Sequence, residues 1–295
     1  LFPVVRGLEP WQIEEAHRRM GAAVRKHPSA KAAIDLAMHD LTGRAWSVPV
    51  TAILGGPARP VLTNYSIGLA TPEDAAEEAR HLVESGYAVV KLKVGDDPRE
   101  DLERVRCVRS AIGPDVPLRI DANEGWSYTQ ARWALPKMEP YQIEFIEQPI
   151  ERDDYLGHAR LRRCTSIPIA LDEGICDIHD AIRSIEADAA DIFNIKLMKS
   201  GGLHPARAVV SLARAHGIDL MVGGMVGESS LAVAAAASLA SAYHFEYADL
   251  DADLLLADSL GVEPNLPLVN SHREVLNQPG LALGKLNPQF FQELT

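Results

Sequence analysis

The sequence predicts an α/β chain of the (β/α) barrel class, a TIM-like barrel preceded by helices. Three observations lead there. From residue 61 onward a strand of five to seven residues, a turn and a helix recur, and eight strands can be counted with seven helical segments between them. Strands separated by helices of this length require parallel pairing through right-handed crossovers, and eight such units close naturally in about 200 to 250 residues. An open doubly wound sheet is the competing layout, but it would place a phosphate-binding glycine loop after its first strand, and Gly68-Leu69-Ala70 is not one.

Taken in order, Glu9 to about Arg25 reads as a helix with Pro10 at its start, and Ser29 to about Thr42 as a second with Ile34, Met38 and Leu41 on one face. The strands are placed at Thr63 to Leu69, Ala88 to Lys93, Leu118 to Ala122, Ile143 to Glu147, Ile167 to Asp172, Ile192 to Lys196, Ile218 to Gly223 and Phe245 to Asp249. Among the helices, Pro72 to Glu84 is capped by Thr71, with Asp74 at the third helical position, and Pro205 to Ala215 forms a later crossover. The alanine-rich run Leu231 to Leu239 reads as a helix packed closely on the sheet. Trp11, Trp46, Trp126 and Trp133 form no regular ladder and are assigned to packing.

Composition narrows the function. Of 295 residues, 47% are hydrophobic and 24% charged, enough to bury a core and too apolar for disorder. The formal net charge of -12 opposes nucleic acid and anionic membrane surfaces, and no apolar run reaches the roughly 20 residues of a membrane span. Cys107, Cys164 and Cys176 are odd in number and fit no CxxC pattern. With no readable signal segment, they point to a reducing, cytoplasmic setting.

Ionisable residues stand at or just beyond the C-terminal ends of consecutive strands: Lys93, Asp121, Glu147, Asp172 and Lys196, then Glu228 and Asp249. The first five are separated by 28, 26, 25 and 24 residues, one barrel unit each. In a barrel these positions share one mouth, so charges scattered in sequence would meet in space. Asp121 lies in LRIDANEGW, Glu147 in IEFIEQP and Asp172 in IPIALDEG, each after apolar residues that anchor the strand. Three carboxylates converging at low dielectric repel one another, and a shared divalent cation relieves that repulsion. An all-oxygen set suits a hard ion, with magnesium the leading candidate. The ten histidines offer no HExxH or close pair that would favour zinc. Salt-bridged or helix-capping acids are the plain alternative.

Lys91 and Lys93 fall on the same side of their strand, and inward-facing lysines lose solvation, which lowers their pKa toward that of a general base. Lys196, about halfway round the ring, would supply a second proton carrier, as a reversible transfer through a planar intermediate needs. Surface lysines with snorkelling stems are the alternative. Gly201-Gly202 offers either an anion cradle or a tight turn. Asp249, Asp251 and Asp253 alternate after the last strand, as acceptors for a ligand ammonium or as a solvated loop.

Lys91-Leu92-Lys93, Asp121-Ala122-Asn123, Glu147-Gln148-Pro149, Asp172-Glu173, the run from Asn194 to Gly202 and Asp249-Leu250-Asp251 together form a pattern. In it the chain resembles the enolase superfamily, specifically its muconate-lactonizing subgroup and within it the dipeptide epimerases that act on L-Ala-D/L-Glu. The resemblance implies a modified, (β/α)7β barrel at residues 61–264. It makes 1–60 the truncated helical part of a capping domain whose sheet and lid are missing, and 265–295 a segment returning to that domain. It implies Asp121, Glu147 and Asp172 as Mg2+ ligands and Lys93 and Lys196 as acid/base residues. Lys91 becomes a companion that tunes or contacts the substrate carboxylate. Asp249 and Asp251 would grip the free amino group, and Glu228 would face the substrate, although one extra residue near Gly227 shifts its register. The implied activity is epimerisation of a dipeptide by α-proton abstraction through an enediolate. An o-succinylbenzoate synthase or N-acylamino-acid racemase of the same subgroup, or a catalytically idle binding barrel, are the alternatives. A small-molecule substrate is the expected partner, and homo-oligomerisation is left open.

Overall fold

The computed structural model describes residues 1–257 and 266–284. Eight strands form one sheet in sequential order, and we label them β1 (Tyr65–Ile67), β2 (Val90–Lys93), β3 (Leu118–Asp121), β4 (Ile143–Glu147), β5 (Ile169–Leu171), β6 (Ile192–Ile195), β7 (Asp219–Gly223) and β8 (Tyr247–Asp249). Pairing from β1 through β6 is parallel, with Lys93 beside Asp121 and Asp121 beside Glu147 in register. Ahead of the sheet lie two long helices, α1 (Ile13–Ala23) and α2 (Pro28–Trp46). Between the strands run α3 (Pro72–Glu84), α4 (Pro98–Ile112), α5 (Tyr128–Met138), α6 (Tyr155–Arg162), α7 (Ile178–Ala187), α8 (Leu203–Ala215) and α9 (Ser230–Tyr243). The fold is a modified (β/α) barrel with an N-terminal helical region, as the alternation of elements predicts.

The chain divides into two compact units. One comprises Leu1–Leu62, Ile195–Val209 and the described residues from Val222 on; the other comprises Thr63–Asn194 and Val210–Met221. In the second, β2, β3 and β4 are largely buried strands that carry Lys91, Arg119 and Glu144 within them and end on Lys93, Asp121 and Glu147. Its helices are well capped: Thr71 accepts from the Asp74 amide, Asp97 from Arg99 and Glu100, and Ser127 with Gln130 closes a capping box. In the first unit, α9 buries every residue from Ala232 to Ser241, which its run of small side chains permits.

Three local expectations need correction. Helix α1 starts at Ile13 rather than Pro10, because the Glu9 amide donates to Gln12 Oε1 and the Gln12 amide to the Glu9 carbonyl, closing a turn first. On α2, Leu41 is 55% exposed, and the buried side is Ala32, Asp35, Leu36, Met38, His39 and Thr42, so the interior face carries polar groups that hydrophobic periodicity misses. Trp126 is a core residue, whereas Trp11 and Trp46 stack on each other, 6.0 Å apart, with about half of each exposed. Of the two readings of Gly201-Gly202 the structure has the tight turn: both amides donate to the Leu197 carbonyl and are unavailable to an anion.

The expected 264/265 boundary and residues 285–295 lie outside the described residues. Within the segment that is described, the Val50 amide donates to the Gly280 carbonyl and the Leu281 amide to Asp40 Oδ1.

Candidate active site

Strand ends carry the polar cluster of the second unit. Lys91 and Lys93 alternate with Leu92 on β2, so both point the same way and both ammonium groups reach Asp121 on the neighbouring strand, at 2.9 and 2.7 Å from Oδ2. Lys91 is buried and also stands 2.8 Å from Glu147 Oε2, so one ammonium bridges two carboxylates. Lys93 is 30% exposed at its side chain and donates a second hydrogen bond, 2.7 Å, to Asn123 Oδ1. Burial alone would raise the Asp121 carboxyl, but Lys91 and Lys93 hold it below the ordinary carboxylate range, against an opposing push from Asp172. Asp172, just past β5, is therefore close enough to Asp121 to be felt, and it too is buried.

Several residues of this unit carry weight that pattern reading did not assign. Asn194, on β6, donates to Glu147 Oε1 at 2.8 Å. Asn123 links Lys93 to Glu173, donating from Nδ2 to Glu173 Oε1 at 3.1 Å. Gln148 is buried and its Oε1 accepts from the amides of Asp172 and Gly174, both at 3.0 Å, tying the ends of β4 and β5 together. Asn123, Glu124 and Gln148 all sit at positive φ, so the backbone turns sharply where the strands end. All lie inside the motifs quoted above, Glu124 within LRIDANEGW; only their polarity beside a strand-end carboxylate marked them.

In the first unit, Lys196 follows β6 directly and its carbonyl starts the helical turn Leu197–Ser200. Glu228 is largely buried and accepts from the Met225 amide at 2.9 Å. Burial pushes its carboxyl up, while that amide and Lys196 pull it back. Asp249 closes β8, and Asp251 starts the next turn with its carbonyl accepting from the Leu254 amide, each 7% exposed.

The donor set is all oxygen, as a magnesium site requires. Among the described residues no group of three His, Cys, Asp or Glu side chains stands close enough to hold an ion as placed. Cations nevertheless already mark the position, because the Lys91 ammonium lies between Asp121 and Glu147. Beside Asp172, the buried Glu173 Oε2 has no hydrogen-bond partner, and burial, then Asp172, raise the Glu173 carboxyl. Negative potential that a further cation would relieve is thus concentrated here. The residues fit a hard divalent ion.

Comparison with known proteins places this arrangement. Residues 74–284 match the family described as enolase C-terminal domain-like, and residues 1–55 the mandelate racemase/muconate lactonizing enzyme N-terminal domain. The chain is 38% identical over 247 residues to a hydrophobic dipeptide epimerase of Enterococcus faecalis, covering 83% of this chain and 70% of the relative. It is 34% identical over 299 residues to an N-succinyl-L-Arg/Lys racemase of Bacillus cereus, covering 100% and 79%. A crystal structure of the dipeptide epimerase from Enterococcus faecalis complexed with Mg and the dipeptide L-Leu-L-Tyr matches with a TM-score of 0.91 at 35% identity, covering 95% of this chain and 79% of that one. Among the described residues no helix is long and apolar enough to cross a membrane. With both family segments matched along its length, the chain belongs to the enolase superfamily, in its mandelate racemase/muconate-lactonizing subgroup, and is an isomerase.

Proposed function

We propose that this isomerase is a magnesium-dependent dipeptide epimerase that inverts the carbon α to the substrate's carboxylate. The observation that carries the reading is the Lys93 ammonium, partly open to solvent and held 2.7 Å from both Asp121 and Asn123 at the edge of a buried carboxylate cluster. A lysine in that setting has a fixed direction and a route by which its proton exchanges with water. Similarity to a dipeptide epimerase solved with Mg and a dipeptide supports the substrate class.

Asp121, Glu147 and Asp172 would hold magnesium, which when bound supplies positive charge to offset the second negative charge that grows on the substrate carboxylate. Lys93, deprotonated, takes the α-proton from one face, and Lys196, protonated, returns a proton to the other. For the opposite epimer the two exchange roles. Lys91, whose charge is buried and shared by Asp121 and Glu147, acts as a fixed counter-charge for the carboxylates rather than as a proton carrier. Asp249 and Asp251 would accept the substrate's terminal ammonium, and Glu228 lines the substrate pocket. An N-succinyl amino acid has no terminal ammonium, so the two aspartates would then have only a cationic side chain, such as that of arginine or lysine, to bind.

Similarity to an N-succinyl-L-Arg/Lys racemase over the whole chain favours a second reading, racemisation of an N-acylated amino acid. Incubation in deuterated water with magnesium and two panels separates the readings: Ala-Glu, Ala-Phe and cationic dipeptides on one side, N-succinyl amino acids on the other. A mass gain of one on dipeptides, with inversion, is the expected result. Gain on N-succinyl amino acids alone gives the second reading, and no exchange on either panel contradicts both.

A further inference from the structure

Asp35 is a carboxylate buried on the inner side of α2, in the unit that also holds Lys196. Its Oδ1 accepts from the Leu203 amide at 2.6 Å and its Oδ2 from the His204 amide at 3.3 Å, so a side chain from α2 caps the first turn of α8. His17 of α1 donates from Nε2 to Asp35 Oδ2 at 2.8 Å, and His39 from Nδ1 to the Asp35 carbonyl at 2.9 Å, with Oδ1 at 3.3 Å. Burial would raise this carboxyl, yet the two imidazoles hold it at about 2. It is ionised when it caps α8.

Asp35 grips the chain seven and eight residues after Lys196, at the end of the turn that Lys196 opens. The Lys199 and Ser200 amides donate to the Lys196 carbonyl, and Gly201 and Gly202 to the Leu197 carbonyl, so residues 196–202 form one hydrogen-bonded turn that ends at the Asp35 contact. Gly202 sits at φ +118° and any Cβ there would collide with the Asp35 side chain, so the turn lies flush against it. Ser29, at the start of α2, donates from Oγ to the Met198 carbonyl at 3.2 Å, a second attachment on the same turn. His204 stacks on His17, 5.0 Å between rings, and its Nε2 stands 2.8 Å from Glu14 Oε2, closing the clamp from α1.

We propose that Asp35 is a positioning residue for Lys196: the helical N-terminal region fixes the chain that follows one acid/base lysine, with this buried carboxylate as its central attachment. The inference rests on the reading of Lys196 as a proton carrier. Lys93 lies in the other unit and none of the clamp bonds named above is made to it, so loss of Asp35 is expected to impair one face of the reaction and spare the other. A misplacement of about 1 Å is enough to cost on the order of 10²-fold in rate.

Asp35→Asn tests this. Its Oδ1 still accepts from Leu203, but its Nδ2 meets the His204 N-H donor to donor. Both epimers of an active substrate are incubated in deuterated water, and exchange is followed separately from inversion. For the epimer that Lys93 deprotonates, exchange with retention stays within about twofold of wild type while inversion falls 10- to 100-fold. For the epimer that Lys196 deprotonates, exchange and inversion fall together. Ser29→Ala, on the exposed start of α2, shows the same asymmetry at a few-fold. Equal loss of exchange on both epimers, the signature of general damage, overturns the proposal, as does unchanged inversion in Asp35→Asn. Amide hydrogen exchange of residues 196–204 supplies a readout independent of activity. Faster exchange of Leu203 and His204 in Asp35→Asn supports the clamp, and unchanged protection overturns it. If the wild type exchanges no substrate, the reading under Proposed function fails, and the protection data alone then decide the clamp.

Discussion

Two buried carboxylates, one in each compact unit, solve the same electrostatic problem in different ways. Asp35 and Asp121 are both fully removed from solvent and both lie below the ordinary carboxyl range. Asp35 is held by backbone amides at a helix start and by two imidazoles, donors fixed by packed helices. Asp121 is held chiefly by two lysines at the ends of long side chains, one of them partly in solvent, with the Asn123 amide at 2.9 Å on its other oxygen. The contrast separates a carboxylate saturated to hold structure from one whose cations can be exchanged or rearranged. A buried charge held by backbone amides and packed imidazoles is costly to disturb and chemically inert; one held by side-chain ammonium groups leaves a place that a divalent cation can take.

Breaking the reactive carboxylate has the largest expected effect. Asp121→Asn lowers activity on the order of 10³-fold, with magnesium affinity by calorimetry falling alongside. Retained magnesium binding in that variant would remove Asp121 from the reactive class. Next is Lys91→Met, which leaves Asp121 and Glu147 without their shared ammonium and costs about 3 to 5 kcal/mol in urea unfolding. Because the missing charge is replaceable in this cluster, saturating magnesium restores part of that loss, an effect absent in Asp35→Asn.

Asp35 sharpens the comparison through pH. Its folded carboxyl sits at about 2 against 3.8 for an unperturbed one, so the stabilisation is complete above pH 4 and is lost as pH falls from about 4 toward 2. The wild type loses about 2 kcal/mol more than Asp35→Asn across that interval, read from urea midpoints at pH 5 and pH 2 to 3. Parallel acid limbs would show that Asp35 is not held by its imidazoles. The smallest effect belongs to the exposed stack: Trp11→Ala changes stability by about 1 kcal/mol or less and leaves both carboxylates unaffected.

The fold was legible because barrel units announce themselves locally, in a buried apolar run followed by an amphipathic helix with its own cap. Pro72–Glu84 with its Thr71 cap was readable to the residue for that reason. Strand-end acids and lysines were legible by position: a charge that ends a run such as IEFI has nowhere to go but the edge of the sheet. Neutral polar residues were not. Asn123, Gln148 and Asn194 acquire their roles only when the sheet brings Lys93, Asp172 and Glu147 within reach, contacts between residues 24 to 47 apart. Asp35 was hidden for another reason: on a helix read by apolar periodicity, a buried acid looks like a solvent-facing one until its partner, 168 residues away, is known.

Lys93 and Lys196 are proposed to serve opposite faces of one substrate carbon. Proton NMR of Lys93→Ala and Lys196→Ala, each with magnesium and both epimers of an active dipeptide in deuterated water, tests it most directly. The expected outcome is that neither variant inverts, and that each still exchanges the α-proton of a single epimer, a different one for each variant. Inversion persisting in either variant, or both variants exchanging the same epimer, contradicts it.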